Sequence, residues 1–323
     1  MTALGYPSGV PKRTFIVDTD TASDDAVALV MALRHPGVDV AAITVVAGNV
    51  PLPEAVQNAL YTVELCGPAD RVPVHAGCDA PLARELRTAQ FVHGHDGLGD
   101  IGLPLTGRTP APGHAVDVLV DEINRRPPGT VTLVTLGPLT NVARAIQRDP
   151  GIAGRLRDIV TMGGTGDAVG NITAAAEFNI WVDPEAAAIV FEAGARLTMV
   201  GWDISRKYAV IDAADAARLR AVGPLGAFAV DIQATLTDFV KAETHLAGFD
   251  LPDPIAMAVA LDPTIATRVE RLNVRVETTG EHTAGQTVVD HLGIEHLDPN
   301  VDVVLEASRE RFIDLLHETH RAT

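Results

Sequence analysis

The stretch Val17-Asp18-Thr19-Asp20-Thr21-Ala22-Ser23-Asp24-Asp25 joins an aliphatic run to a helical one and crowds four carboxylates into the turn between them. Thr14–Val17 reads as a short strand ending at Asp18. Asp24–Arg34 (DDAVALVMALR) reads as a helix, with Ser23 as its N-cap and two acids in its first turn. Like charges this close raise one another's pKa and cost stability unless something neutralises them. The helix N-terminus is one neutraliser, and a bound cation is the other. Oxygen donors with no neighbouring Cys or His point to Ca²⁺ or Mg²⁺ rather than zinc. An EF-hand does not fit, because its loop wants an oxygen ligand and then a glycine where Ala22 and Ser23 stand.

Working outward, strand-like and helix-like segments alternate. Val38–Val46 is almost wholly apolar and β-branched, as a buried strand would be, and Pro53–Cys66 is helical. Val72–Val74 is a short strand and Ala115–Arg126 a helix; Thr130–Leu136 is a strand, followed by a helix over Leu139–Arg148. Ile159–Met162 and Arg196–Val200 are strands on either side of a helix at Pro184–Ala193. This order predicts an α/β fold with a doubly wound, mainly parallel sheet flanked by helices. Beyond residue 205 the pattern changes to helices at Ala213–Arg220, Leu225–His245 and Pro254–Leu261. Strands at Ala266–Val276, Gln286–Val289 and Val301–Leu305 follow, then a helix at Arg309–Arg321 capped by Ser308. No repeat or linker divides the chain, so 1–323 is expected to be a single domain with C-terminal helical and β additions. Ligands of open α/β sheets bind beyond the carboxyl ends of the strands, and the unusual polar residues here follow predicted strands.

Composition narrows the function. Apolar residues make up 47% of the 323 and aromatics 4%, so the core rests on Ala, Val, Leu and Ile. A net charge of −17 without a Lys/Arg cluster argues against a nucleic-acid partner. Cys66 and Cys78 are too few for a disulfide framework or a thiolate metal site. Met1–Arg13 lacks the apolar segment of a signal peptide, and no run approaches the roughly 20 apolar residues of a membrane span. The expectation is a cytoplasmic protein with no membrane partner.

Two families share parts of this pattern. A strand ending in Asp18-Thr19-Asp20-Thr21 resembles the first motif of haloacid-dehalogenase-like, Mg²⁺-dependent phosphatases. Those enzymes also need a downstream Lys, and none of Lys12, Lys207 and Lys241 follows a strand in a fitting context. The remaining motifs point elsewhere. They are Ala47-Gly48-Asn49, Leu136-Gly137-Pro138-Leu139-Thr140-Asn141, Met162-Gly163-Gly164, Gly170-Asn171, Ala176-Glu177-Phe178-Asn179 and Asp253-Pro254. Together with DTDTASDDA they resemble, in order and over residues 14 to about 262, the inosine–uridine preferring nucleoside hydrolases.

That resemblance implies Ca²⁺-dependent hydrolysis of the N-glycosidic bond of a small-molecule ribonucleoside, and a homodimer or homotetramer. Asp20, Asp25 and Asp253 match calcium ligands, and Leu136 matches the position that supplies a backbone carbonyl. Asp24 matches a ribose-hydroxyl acceptor. Asn171, Glu177 and Asn179 match residues that hold the ribose hydroxyls, with Met162 packed against the sugar. Asn49 matches a residue that orients the water held by the metal, and Asp20 the general base for that water. The chemistry is coherent by itself. The reaction builds oxocarbenium character on the sugar, as glycoside hydrolysis does, and needs a positioned water and a carboxylate to take its proton. A non-catalytic ribose- or nucleoside-binding protein is the alternative use of the same residues.

The chain departs from the resemblance at the leaving group. Many relatives place His, thought to protonate a purine, immediately before the Asp-Pro; here that position is Pro252. Pro-Gly in the first acidic loop is replaced by Thr21-Ala22. His93, His95 and His245 are the alternative base-side histidines, with His93 resembling a base-side His of pyrimidine-preferring relatives. Trp181 and Trp202 read as packing residues.

Overall fold

The computed structural model describes residues 11–67, 72–243 and 247–321. Six parallel strands form its centre: β1 (Arg13–Thr19), β2 (Val38–Val45), β3 (Val74–Ala76), β4 (Val131–Thr135), β5 (Asp158–Met162) and β6 (Leu197–Val200). β7 (Val210–Ile211) and β8 (Phe249–Asp250) make a small antiparallel pair. β9 (Ala266–Val276), β10 (Thr287–Asp290) and β11 (Val301–Ala307) extend the main sheet. Its nine strands run β10-β9-β11-β6-β5-β4-β1-β2-β3. β11 joins β6 in parallel, and β9 and β10 are antiparallel additions at that edge. This is the doubly wound, mainly parallel sheet that the alternation predicts. The order reverses between β1 and β4, so the carboxyl ends of those two strands open a crevice where the crossovers leave in opposite directions.

Burial explains why the strands read as aliphatic runs. Every residue of β4 is buried, as are the last five of β1, because helices cover both faces. The helix Ser23–Arg34 packs against Pro252–Leu261 and Arg309–His320, and every residue from Ser23 to Ala32 is buried. A helix enclosed on all sides has no polar stripe, which accounts for AVALVMA. Leu29 and Met31 are completely enclosed, so truncating either to Ala should cost about 2–5 kcal/mol.

Several boundaries differ from the sequence expectation for identifiable reasons. Ala22, not Ser23, is the N-cap of the first helix, and Asp25 Oδ2 accepts the Ala22 N–H at 2.9 Å. The carboxylate of the third helical residue thus satisfies the start of the helix, which leaves the Ser23 hydroxyl for another partner. The helix expected over 225–245 is two, Pro224–Asp231 and Ala234–Glu243. Between them, the fully buried Gln233 turns its side chain inward and donates to the Ser23 carbonyl at 3.1 Å. Ser308 does cap the last helix, accepting from Arg311 N–H. The short helices Gln90–His93, Gly151–Arg155, Phe178–Val182 and Trp202–Tyr208 carry too few turns to show a period. Among the described residues no helix is long and apolar enough to cross a membrane.

Candidate functional site

The crevice between β1 and β4 is built around Asp20. The turn after β2 brings Gly48 so near that a Cβ there would lie 2.1 Å from Asp20 Oδ2, and at Gly137, after β4, one would lie 2.6 Å from Oδ1. Only glycine admits that approach, which is the physical reason for Ala-Gly-Asn and Leu-Gly-Pro after these strands. Asn49 N–H donates to Asp20 Oδ2 at 2.6 Å, and Asn49 Nδ2 lies 3.3 Å from Asp25 Oδ2. Asp25 Oδ1 also accepts the Thr19 hydroxyl at 2.6 Å.

Asp18 points to the other side of β1 and ties the switch point together. Its Oδ1 accepts Thr44 Oγ1 at 2.5 Å and Asn141 Nδ2 at 2.9 Å. Burial outweighs those two donors and pushes its pKa up to about 7. Asp18 therefore separates from the other three acids of the turn as a structural member.

Asp24, Asp25 and Asp253, all buried, each bring a carboxylate oxygen within 4.8 Å of the other two. Two oxygens bound to one Ca²⁺ at about 2.4 Å lie at most about 4.8 Å apart, so the trio fits a single hard cation. Burial, then the charge of Asp25, holds Asp20, Asp24 and Asp253 well above the usual carboxylate range, and burial also raises Asp25. Asp20 Oδ1 and Asp24 Oδ1 are buried with no hydrogen-bond partner. Orphaned acceptors in an oxygen-only set are what a divalent cation would satisfy. Asp24 is in the tight trio where the resemblance implies Asp20, and Asp20 stands beside it, electrostatically coupled to Asp24, Asp25 and Asp253.

The opposite wall comes from the loop after β5. Glu177 caps the helix Phe178–Val182, and its carboxylate accepts Gly164 N–H at 2.8 Å and Asn179 N–H at 2.9 Å. Burial outweighs these donors and lifts its pKa to about 7. Asn179 Nδ2 donates to the Leu136 carbonyl at 2.7 Å, which leaves that oxygen a second lone pair, and touches Met162 O and Sδ at 3.3 Å each. Asn171 Oδ1 accepts Phe178 N–H at 2.9 Å, freeing its NH₂. Asp24, Asn49, Leu136, Met162, Asn171, Glu177, Asn179 and Asp253 all line one cavity.

The cavity continues past these polar groups into an apolar half walled by Ala89, Phe91, Val92, Trp202, Leu236, Phe239 and Val240, with His93, Asp250 and Pro252 among them. His93 Nδ1 lies 2.9 Å from Ser23 Oγ, the partner that the displaced cap frees, and 3.8 Å from Asp24 Oδ1. Burial pushes the His93 pKa down to about 4, so the ring is neutral near pH 7. His95 is exposed and does not line the cavity. His245 lies outside the described residues. Trp202, expected in the core, is only partly buried and forms a cavity wall, with the Arg206 guanidinium 4.5 Å from its ring centroid. Trp181 packs beside Phe178 and Val182 as expected. Asp250, which also lines the cavity, stands in no sequence motif, and only its closeness in the chain to Pro252 points to it.

The chain is similar to known proteins over most of its length. The family model described as inosine-uridine preferring nucleoside hydrolase matches residues 15–314. The chain is 42% identical over 305 residues to the pyrimidine-specific ribonucleoside hydrolase RihA of Salmonella enteritidis, covering 94% of this chain and 96% of that one. A plant nucleoside hydrolase superposes with a TM-score of 0.91 at 35% identity, over 97% of this chain and 100% of that chain. A purine-preferring ribonucleoside hydrolase from Gardnerella vaginalis gives a TM-score of 0.87 at 30% identity, over 95% and 98%. The chain belongs to the inosine-uridine preferring nucleoside hydrolase family and is an enzyme of that class, a ribonucleoside hydrolase.

Proposed function

We propose that the enzyme is Ca²⁺-dependent and cleaves pyrimidine ribonucleosides, such as uridine and cytidine, to ribose and free base. The observation that carries the reading is one cavity lined by Asp24 and Asp253, two members of a cation-sized carboxylate trio that Asp25 completes, with amides and Glu177 beside them and an apolar half beyond. Asp25 and Asp253 would hold the cation with the Leu136 carbonyl and Asp20 or Asp24. When bound it would gather the ribose hydroxyls and the attacking water, acidify that water, and return the neighbouring carboxyls to their ionised form.

The chain's own groups do the rest. Asp20 Oδ1, buried and unpartnered, accepts the water's proton, while Asn49 fixes Asp20 through its N–H and offers its amide to the water. Asp24 accepts a ribose hydroxyl, and Asn171, Glu177 and Asn179 orient the sugar over Met162. Their hydrogen bonds strengthen as positive charge grows on the ring. Neutral His93, anchored through Nδ1, can turn Nε2–H to a carbonyl oxygen of the base. Pyrimidine preference rests on that donor and on relatives named as pyrimidine-specific. A homodimer or homotetramer is part of the proposal, and light scattering would measure it.

The test is to incubate the enzyme with calcium and a panel of purine and pyrimidine nucleosides, and to identify both products. Equal amounts of ribose and base, fastest from uridine or cytidine, are expected. Tight binding without turnover would support the ribose-binding alternative instead, and faster purine release would overturn the base preference. The phosphatase alternative falls with the family assignment.

A further inference from the structure

Pro252 stands where the resemblance implies a histidine that protonates the departing base, and proline can donate no proton; three observations point to another donor. Asp250 is 7% exposed and lines the apolar half of the cavity together with Trp202 and Pro252. It sits on the two-residue strand β8, paired with Val210 of β7, immediately before the helix that carries Asp253. Trp202 Nε1–H donates to Asp250 Oδ2 at 3.0 Å and Ser205 Oγ donates to the same oxygen at 2.7 Å.

We propose that Asp250 is the catalytic acid that protonates the departing base, taking the part that Pro252 cannot play. This rests on the hydrolase reading above. With both donors directed at Oδ2, that oxygen acts as acceptor, and the proton of the neutral acid belongs on Oδ1. Burial raises the Asp250 pKa above the usual carboxylate value, against the two donors and the Arg206 guanidinium. A carboxylic acid kept neutral in an apolar site so that it can donate is an established use of burial in catalysis.

The step balances. The C1′–N bond breaks with its electron pair moving to the base, which takes the Asp250 proton. The water oxygen bonds to C1′, and the proton it sheds passes to Asp20. Ribose and base depart neutral, leaving Asp250 ionised and Asp20 protonated, and exchange with solvent resets both.

The experiment compares wild type, Asp250→Asn and Asp250→Glu on uridine and on p-nitrophenyl β-D-ribofuranoside, whose phenolate departs without a proton. Asp250→Asn should lose about 100-fold or more in kcat on uridine yet stay within about threefold of wild type on the nitrophenyl riboside. Asp250→Glu, which restores an acid, should recover at least about tenfold of the uridine loss. Equal losses on both substrates in Asp250→Asn, with no recovery in Asp250→Glu, would show a structural anchor for Trp202 and overturn the assignment. Undiminished uridine turnover in Asp250→Asn would overturn it too. Wild type inactive on both substrates would instead sink the hydrolase reading and this inference with it.

Discussion

Asn141 Nδ2 donates to Asp18 Oδ1 at 2.9 Å across 123 residues of sequence. The same amide reaches the Val45 carbonyl at 3.1 Å, and its oxygen accepts Cys78 N–H at 2.9 Å. One side chain thus closes the crevice end of β1, β2 and the segment after β3. Asn141→Ala would leave a buried carboxyl and two backbone groups short of partners, each worth about 1–3 kcal/mol. A melting temperature lower by at least several degrees is expected, with the activity of the folded fraction kept. An unchanged melting temperature would mean that water replaces the amide at no cost.

Asn179 links the loop after β5 to the turn after β4 through its bond to the Leu136 carbonyl, joining the proposed sugar and metal subsites. Asn179→Ala should reduce kcat/KM on uridine by about tenfold to a hundredfold, because a positioned donor is lost at the sugar. Calcium affinity should also weaken, since the amide fixes that carbonyl's direction. Titrating activity with calcium would separate the two effects, and normal values of both would remove Asn179 from the site.

Ser23 and His93 form a pair at 2.9 Å. Removing the hydroxyl with Ser23→Ala should lower kcat/KM on uridine by about threefold to tenfold, as the ring loses its anchor. The same change made in His93→Gln should add little, since coupled partners are not additive. Fully additive losses in that double-mutant cycle would show that Ser23 acts elsewhere.

His320 is completely buried at the end of the last helix, and burial pushes its pKa down to about 4 from 6.5. Below pH 6.5 the unfolded chain binds a proton there that the folded chain refuses. Stability is therefore full above 6.5 and falls as pH drops toward 4, by up to about 3 kcal/mol for this one group. His320→Gln should flatten the acid limb of the denaturation midpoint between pH 6.5 and 4. An unchanged limb would place the acid sensitivity in other groups.

Much of this was legible in the sequence. The aliphatic strands, their alternation with helices, and polar residues placed just after strand ends led to the sheet and to the cavity. What stayed hidden depends on tertiary contacts. Ser23 has the chemistry of a cap, but Asp25 fills that role and His93 claims the hydroxyl. The helical pattern over 225–245 shows no break, because Gln233 ends the first piece by reaching a carbonyl 210 residues away. Asp250 stands in no motif, and its meaning comes only from its bonds to Trp202 and Ser205 and from the cavity it lines with Trp202. Among the four acids of the first turn, spacing did not separate Asp18 from the others. The pleat does, by facing it to Thr44 and Asn141.

The most direct test of the central claim is ribose release from uridine by enzyme freed of metal with a chelator, then resupplied with calcium. Release should stop when the cation is removed and return in proportion to calcium bound, to about one ion per chain. Undiminished release from enzyme shown by elemental analysis to carry no metal would contradict it, because the buried carboxylates would then be catalysing alone.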